Sequence, residues 1–564
     1  MLFTGCEEKI ETGPVDWFGD TFSSMEEDQK IGQLFCLTVD PIKYFLYPDY
    51  KETVNTVLKK YMFGAIYLAA NIDTVKMETR IEFNGNKLHD ELVSLQGIAE
   101  IPLVVAADFE SGAWYWDSKA TRFPYPLALS AVQSEDYAYR QGKITAVEAK
   151  AQGINWLFSP VVSLKLPDKK GLLTLQSLGS DPETVGSIAT SFITGSQEVG
   201  IATCLKYFPN ERYNSLLDAS PDILDDIQRG VFARGIEAGA LSVMGSPVGL
   251  EGAPPPGEGK GMIDVLRNYL GFEGILLSEF RASNDPMYAL QEMDLLLDCI
   301  DDGITMFILP EVFESDIPLL DLMFNEALSG NIDITAVDRE VTRILKTKRR
   351  LNVHKAKEMH SLRTMSGIGL PEYYQNSRDI ADASITLLKN DDGILPVNFE
   401  EAYVVSISFL GEYTPQFSSI YDNVFNTVSH DDLSLSIFDI PDERIKHEAI
   451  RRSKEADIII CSFFVKPDNE SGDMTLQPGI IDLMNRIRAV NKKIIVVSYY
   501  DPGIIRQLKG FPSYIAAYSP SQHSIEATLE IIMGKRGATG RLPIRLSDEF
   551  PLGHGIITAS NEAQ

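Results

Sequence analysis

Three short stretches of the chain gather side chains that bind and transform polar molecules: Asp108-Phe109-Glu110, Lys206-Tyr207 with Asn210-Glu211-Arg212 just beyond, and Ser278-Glu279. Each directly follows an apolar run. Carboxylates and a lysine bond hydroxyl groups, and Trp114, Tyr115 and Trp116 offer flat faces to a ring, so the mixture suits a polyol such as a sugar. The seven histidines are His89, His354, His360, His430, His447, His523 and His554. None lies among these stretches, which argues against a histidine acid/base or a His-rich metal centre there unless one is donated from outside. No G-x-S-x-G elbow occurs, Lys260 is followed by Gly261 rather than Ser or Thr, and no dinucleotide fingerprint opens the second half. No cofactor is expected.

The elements that must position these groups are legible as alternating patterns. Eight apolar runs read as strands: Leu34–Val39, Phe63–Ala69, Pro102–Asp108, Ile154–Val162, Ala202–Phe208, Leu241–Ser246, Gly274–Ser278 and Ile304–Leu309. They lack strict alternation, as parallel strands buried on both faces do. Amphipathic stretches intervene, among them Glu135–Gln152, Glu183–Glu198, Asp225–Ala238 and Met287–Asp301. Eight such units predict an α/β fold with an N-terminal (β/α)₈ barrel over 21–352, whose working groups belong at the C-terminal strand ends. A polar connecting segment over 353–380 follows. Residues 381–564 then alternate strands (Ala383–Leu388, Tyr403–Phe409, Leu435–Ile440, Asp457–Val465, Lys493–Tyr499, Tyr514–Tyr518) with helices Glu443–Glu455, Ile480–Val490 and Ser524–Met533. That pattern predicts an α/β sandwich domain with a mostly parallel sheet. Gly252–Gly261, rich in Pro and Gly, reads as a loop.

With a formal net charge of −29, the 564-residue chain repels phosphate backbones, so nucleic acid is not expected as a partner. No run of 18 apolar residues is present. Of five cysteines, Cys36, Cys204, Cys299 and Cys461 lie in apolar runs and read as buried thiols. Cys6 follows Leu2-Phe3-Thr4-Gly5 and precedes Glu7, Glu8 and Glu11. This resembles the end of a bacterial lipoprotein signal, which implies a lipidated Cys6, a tether over 1–20, attachment to a membrane, and a place at the cell envelope, outer membrane or exterior.

Taken in order, the segments resemble family 3 glycoside hydrolases over almost the whole chain. Lys30-Ile31-Gly32-Gln33-Leu34-Phe35 is similar to the family's opening helix, and Asp108-Phe109-Glu110-Ser111-Gly112 to its D-x-E-G-G turn. Gln176-Ser177-Leu178-Gly179-Ser180-Asp181-Pro182 resembles R-S-F-G-x-D-P, and Lys206-Tyr207-Phe208-Pro209 resembles K-H-F-P. Ser278-Glu279 stands where the family has S-D. Ser384–Asn390 and Gly540-Arg541-Leu542-Pro543 match in the second domain.

The resemblance implies a retaining mechanism with a carboxylate nucleophile and a separate proton donor roughly 5–5.5 Å apart. Glu279 takes the nucleophile position, where its extra methylene shifts the carboxylate by about 1 Å, a displacement that can cost about 100-fold. Asp218 is kept in the donor loop, but Ser220 replaces the histidine of hexosaminidase members and cannot donate a proton usefully near neutral pH. Glu470, in Glu470-Ser471-Gly472-Asp473-Met474, resembles the acid/base loop of the β-glucosidase branch, with Met474 for its arginine. Among the substrate-binding positions Asp108 and Lys206 match, whereas Gln176 and Tyr207 replace an arginine and a histidine. Plainer roles stand beside these: a Glu279–Lys206 ion pair, Trp114 and Trp116 as loop packing, and Asp218 as a helix cap. Two functions remain open. One is a member with lost or reduced hydrolysis that binds a glycan or serves in a protein assembly at the envelope. The other is an active exo-acting retaining β-glycosidase on N-acetylhexosamine or glucose.

Overall fold

The computed structural model describes residues 17–69, 84–164, 175–208, 226–245, 263–279, 296–355, 367–411, 416–429, 434–438, 441–465 and 475–560. Cys6, the loop Gly252–Gly261, Asp218 with Ser220, and Glu470 lie outside the described residues. No helix among the described residues is long and apolar enough to cross a membrane.

The first eight strands close into a barrel: β1 Phe35–Val39, β2 Ala65–Leu68, β3 Val104–Ala107, β4 Trp156–Leu157, β5 Ala202–Phe208, β6 Ser242–Gly245, β7 Ile275–Glu279 and β8 Met306–Glu311. Every neighbouring pair is parallel, and β8 returns to β1. Almost all their side chains are buried, because helices cover the outside while the strands fill the inside. Trp156 is fully buried there and gives its indole N–H to Ser242 Oγ at 2.8 Å.

β4 is much shorter than the run Ile154–Val162 predicts. Pro160 has no N–H for a ladder, so contact with β5 continues irregularly: Cys204 N and Lys206 N donate to the carbonyls of Ser159 and Pro160. Helices Glu135–Ala151 and Pro182–Glu198 start close to their predicted positions, capped by Ser134 and Asp181.

The second domain is a six-stranded sheet. It comprises β9 Thr386–Asn390, β10 Val404–Leu410, β11 Ser434–Phe438, β12 Ile458–Phe464, β13 Ile494–Ser498 and β14 Ser513–Ala516. The order is β11-β10-β12-β13-β14-β9, with only β9 antiparallel. The predicted strand start at Ala383 belongs instead to helix Pro371–Ser384, which occupies the end of the segment read as a connector.

The domains meet over a packed seam. Leu127, Ala128, Ala131 and Leu175 of the barrel domain join the second domain's apolar core. Ser180 N donates to Pro543 O and Arg541 N to Ala131 O, each at 3.0 Å. Ser377 Oγ on the connecting helix donates to Arg122 O at 2.6 Å.

Candidate active site

At the C-terminal end of β5, Lys206 is 2% exposed, yet its stem is carried into the mouth by the strand's last residues. Its Nζ lies 2.7 Å from Asp108 Oδ1 and 2.7 Å from Glu110 Oε1, both just past the end of β3. Tyr67, near the end of β2, donates its hydroxyl to Asp108 Oδ2. Tyr207 is anchored through its backbone: its N–H donates to Ser163 Oγ at 2.8 Å, and the same hydroxyl lies 2.9 Å from the Tyr207 carbonyl. Its ring centroid is 5.6 Å from Lys206 Nζ. Three strand ends thus deliver two carboxylates, an ammonium and two phenols to one place.

The electrostatics follow from burial and pairing. Burial alone would drive Lys206 toward its neutral form, but the two carboxylates outweigh it and hold the ammonium well above its ordinary range. Burial pushes Glu110, only 6% exposed, upward, and Lys206 opposes that. The Tyr207 hydroxyl is raised first by burial, then by the carboxylates of Asp108, Glu279 and Glu110, against the pull of Lys206. Glu279 is the last residue of β7, half-buried, and acts on this same phenol. Asp108, Lys206, Tyr207 and Glu279 therefore share one electrostatic neighbourhood. Among the described residues the ion-pair partners of Lys206 are Asp108 and Glu110, not Glu279.

Gln176 lies half-buried beside Ser177, whose hydroxyl donates to Ser163 O at 3.0 Å and so ties this segment to the Tyr207 anchor. Trp116 is 4% exposed and packs in the core, so it cannot offer a free face. Trp114 is half-buried, with the Arg122 guanidinium 4.2 Å above its ring. Tyr67 and Arg122 escape a reading of the sequence, although the position of Tyr67 at a strand end was a usable signal. No group of three or more His, Cys, Asp or Glu among the described residues is arranged to hold a metal ion. Cys36, Cys204, Cys299 and Cys461 are all buried and unbridged.

A closed parallel barrel with paired carboxylates and a lysine at its mouth, backed by a second α/β domain, defines a two-domain (β/α)₈-barrel class of protein, and the comparisons with known proteins agree. The chain belongs to family 3 of the glycoside hydrolases: the family's N terminal domain matches residues 27–347 and its C-terminal domain residues 385–550. It is 27% identical over 419 residues to a beta-N-acetylglucosaminidase/beta-glucosidase of Cellulomonas fimi, covering 70% of each chain. It is 20% identical to a periplasmic beta-glucosidase of Salmonella typhimurium, covering 95% of this chain and 74% of that one. Among solved structures, a family 3 beta-N-acetylglucosaminidase from Paenibacillus superposes with a TM-score of 0.76 at 20% identity, over 93% of this chain and 99% of the other. A beta-glucoside phosphorylase superposes equally well, with a TM-score of 0.76 at 20% identity over 94% and 96%. At such identities the likeness to solved structures speaks for the fold.

Proposed function

We propose that the barrel mouth binds the terminal residue of a β-linked glycan and that hydrolysis there is lost or strongly reduced. The observation that carries this reading is the Lys206–Asp108–Glu110 cluster, a preformed set of hydroxyl-binding groups at the ends of two strands, β3 and β5. In support of the loss, the carboxylate closing β7 belongs to Glu279 where the family resemblance calls for Asp, and Ser220 stands for a histidine proton donor. A bidentate or networked set of hydroxyl contacts survives such changes, whereas a nucleophile misplaced by about 1 Å does not keep its rate. Cys6 supports a site of action at a bacterial envelope, carried by a lipid on its sulfur, as a binding or assembly component.

A second reading, an active exo-acting retaining β-glycosidase, is favoured by the charge kept at Glu279 and by the names of the relatives. Purified protein assayed on aryl β-glucoside and aryl β-N-acetylglucosaminide separates the two. The first reading expects turnover at least about 100-fold below an ordinary glycosidase near 10 s⁻¹. It also expects that Glu279→Gln leaves sugar binding measurable by calorimetry. Ordinary turnover abolished by Glu279→Gln would establish the second reading instead.

A further inference from the structure

Arg122 is chemically conspicuous in a chain with 80 acidic residues. Its guanidinium lies 4.2 Å from the Trp114 ring centroid and 5.5 Å from that of Phe417, and the side chain is half-buried. Among the described residues it makes no hydrogen bond or ion pair through its N–H groups; only its backbone carbonyl is engaged, by Ser377. An arginine stacked on a ring keeps its N–H fork in the plane of the guanidinium, where a planar or tetrahedral oxyanion can meet two donors at once.

Its place ties it to the barrel mouth. The chain leaves β3 at Asp108, turns through Gly112 at φ +92°, and returns so that Phe123 N donates to Ser111 O at 2.9 Å. The return is tight: a Cβ on Gly112 would meet Thr121 O at 2.2 Å. Arg122 is thereby held beside Ser111 and Gly112, next to Glu110. Tyr115 feels Glu110, Asp108 and Arg122 together, which puts the arginine in reach of the same field. Phe417 comes from helix Gln416–Asn426, which follows β10 in the second domain, and stacks on Phe464 at the end of β12. Arg122 thus stands where the barrel mouth meets the strand ends of the second domain. The floor of the mouth holds Asp108, Glu110 and Glu279 against Lys206, and Arg122 adds a positive charge on the side toward the second domain.

We propose that Arg122 is the anion-recognising residue of a subsite adjoining the sugar pocket, taking an oxyanion: the carboxylate of a second, acidic sugar residue, or a free phosphate. The neutral ring lies over the hydroxyl-binding cluster, and the anionic group meets the guanidinium edge. The proposal rests on the glycan-binding reading above and extends it to the class of glycan or co-ligand.

Calorimetric binding with the full chain tests it, using cellobiose, β-glucosyl-(1→4)-glucuronic acid, and inorganic phosphate with and without glucose. The wild type should bind the acidic disaccharide, or phosphate beside glucose, at least about tenfold more tightly than the neutral comparison. A preference for the acidic disaccharide identifies an attached carboxylate; phosphate binding identifies the free anion. Arg122→Gln should bring the ratio to within about twofold of one, and Arg122→Lys should keep only part of it. If Arg122→Gln does not fold, the wild type's preference must still weaken as salt rises. Equal binding of acidic and neutral sugars with no phosphate bound overturns the proposal while leaving the sugar-pocket reading standing. A preference untouched by Arg122→Gln, or by salt, overturns it as well. Arg122-dependent phosphate binding without any sugar binding supports the subsite and counts against the sugar pocket.

Discussion

Lys206 is buried between two carboxylates, and its removal is informative because the partners stay behind. Methionine at this position keeps the stem volume but leaves Asp108 and Glu110 facing each other, with Glu110 almost wholly out of water. Breaking a buried ionic cluster from one side costs about 3–5 kcal/mol, so Lys206→Met should lower the urea midpoint strongly at neutral pH. The pH sign also follows. Burial and Asp108 already raise the Glu110 carboxyl, and without the lysine it rises further. A raised folded-state value means the native protein holds a proton that the unfolded chain releases, so the variant should lose stability as pH rises through that range. A midpoint for Lys206→Met that matches wild type at pH 7 would mean that the cluster is open to water and is not the pocket floor. The lysine and Asp108 were readable from strand ends that close an apolar run. Arg122 was not, because only the chain reversal between Ser111 and Phe123 brings it to the mouth.

At the scale of elements, eight apolar runs announce the barrel, while the misses have physical causes. The ladder of β4 passes through Pro160, which breaks the regular pattern without breaking the contact. Helix Pro371–Ser384 buries Asn376, Ser377 and Ser384 beside Ile380 and Ala381, so its inner face is mostly polar or small and leaves no apolar period to read. The opposite end of the barrel holds a further surprise. Lys348, on helix Ile334–Arg350, is wholly buried and donates to Gln33 Oε1 at 2.6 Å, while Gln33 Nε2 donates to Met62 O. Burial lowers this ammonium from 10.5 to about 7. Between those values the native protein binds fewer protons than the unfolded chain, so this lysine adds stability as pH rises from about 7 and withholds it below, with a slope of at most about 1.4 kcal/mol per pH unit. Lys348→Met should flatten that slope. The variant should exceed wild type in stability near pH 7 and lose the advantage near pH 10, where Gln33 lacks its donor at a cost of about 1–3 kcal/mol. Denaturation curves across that range check this, and parallel curves for the two proteins would refute it.

Over the whole molecule, the question is whether the barrel and the sandwich act as one unit, because the candidate anion subsite needs both. Their separate cores were legible from two runs of alternating elements, but the seam was not, since its partners lie hundreds of residues apart in the chain. Gly179 is a tight point of direct contact between the two domains. It has φ +120°, and an added Cβ would lie 2.5 Å from Pro543 O, the same carbonyl that accepts Ser180 N at 3.0 Å. Alanine there must open the seam or strain the chain, at a cost of about 1–3 kcal/mol. Gly393 provides the control: its φ is +61°, yet an added Cβ meets nothing within 4 Å. Alanine at 393 pays the conformational penalty without touching the other domain. Calorimetry should therefore show Gly179→Ala separating or broadening the unfolding transition as the domains uncouple, while Gly393→Ala shifts it without changing its shape. The same Gly179→Ala protein should bind the acidic disaccharide less selectively, because Phe417 no longer holds the guanidinium from the far side. If the transition keeps its shape and the selectivity survives, the two domains are coupled elsewhere and Arg122 is positioned by the barrel loop alone.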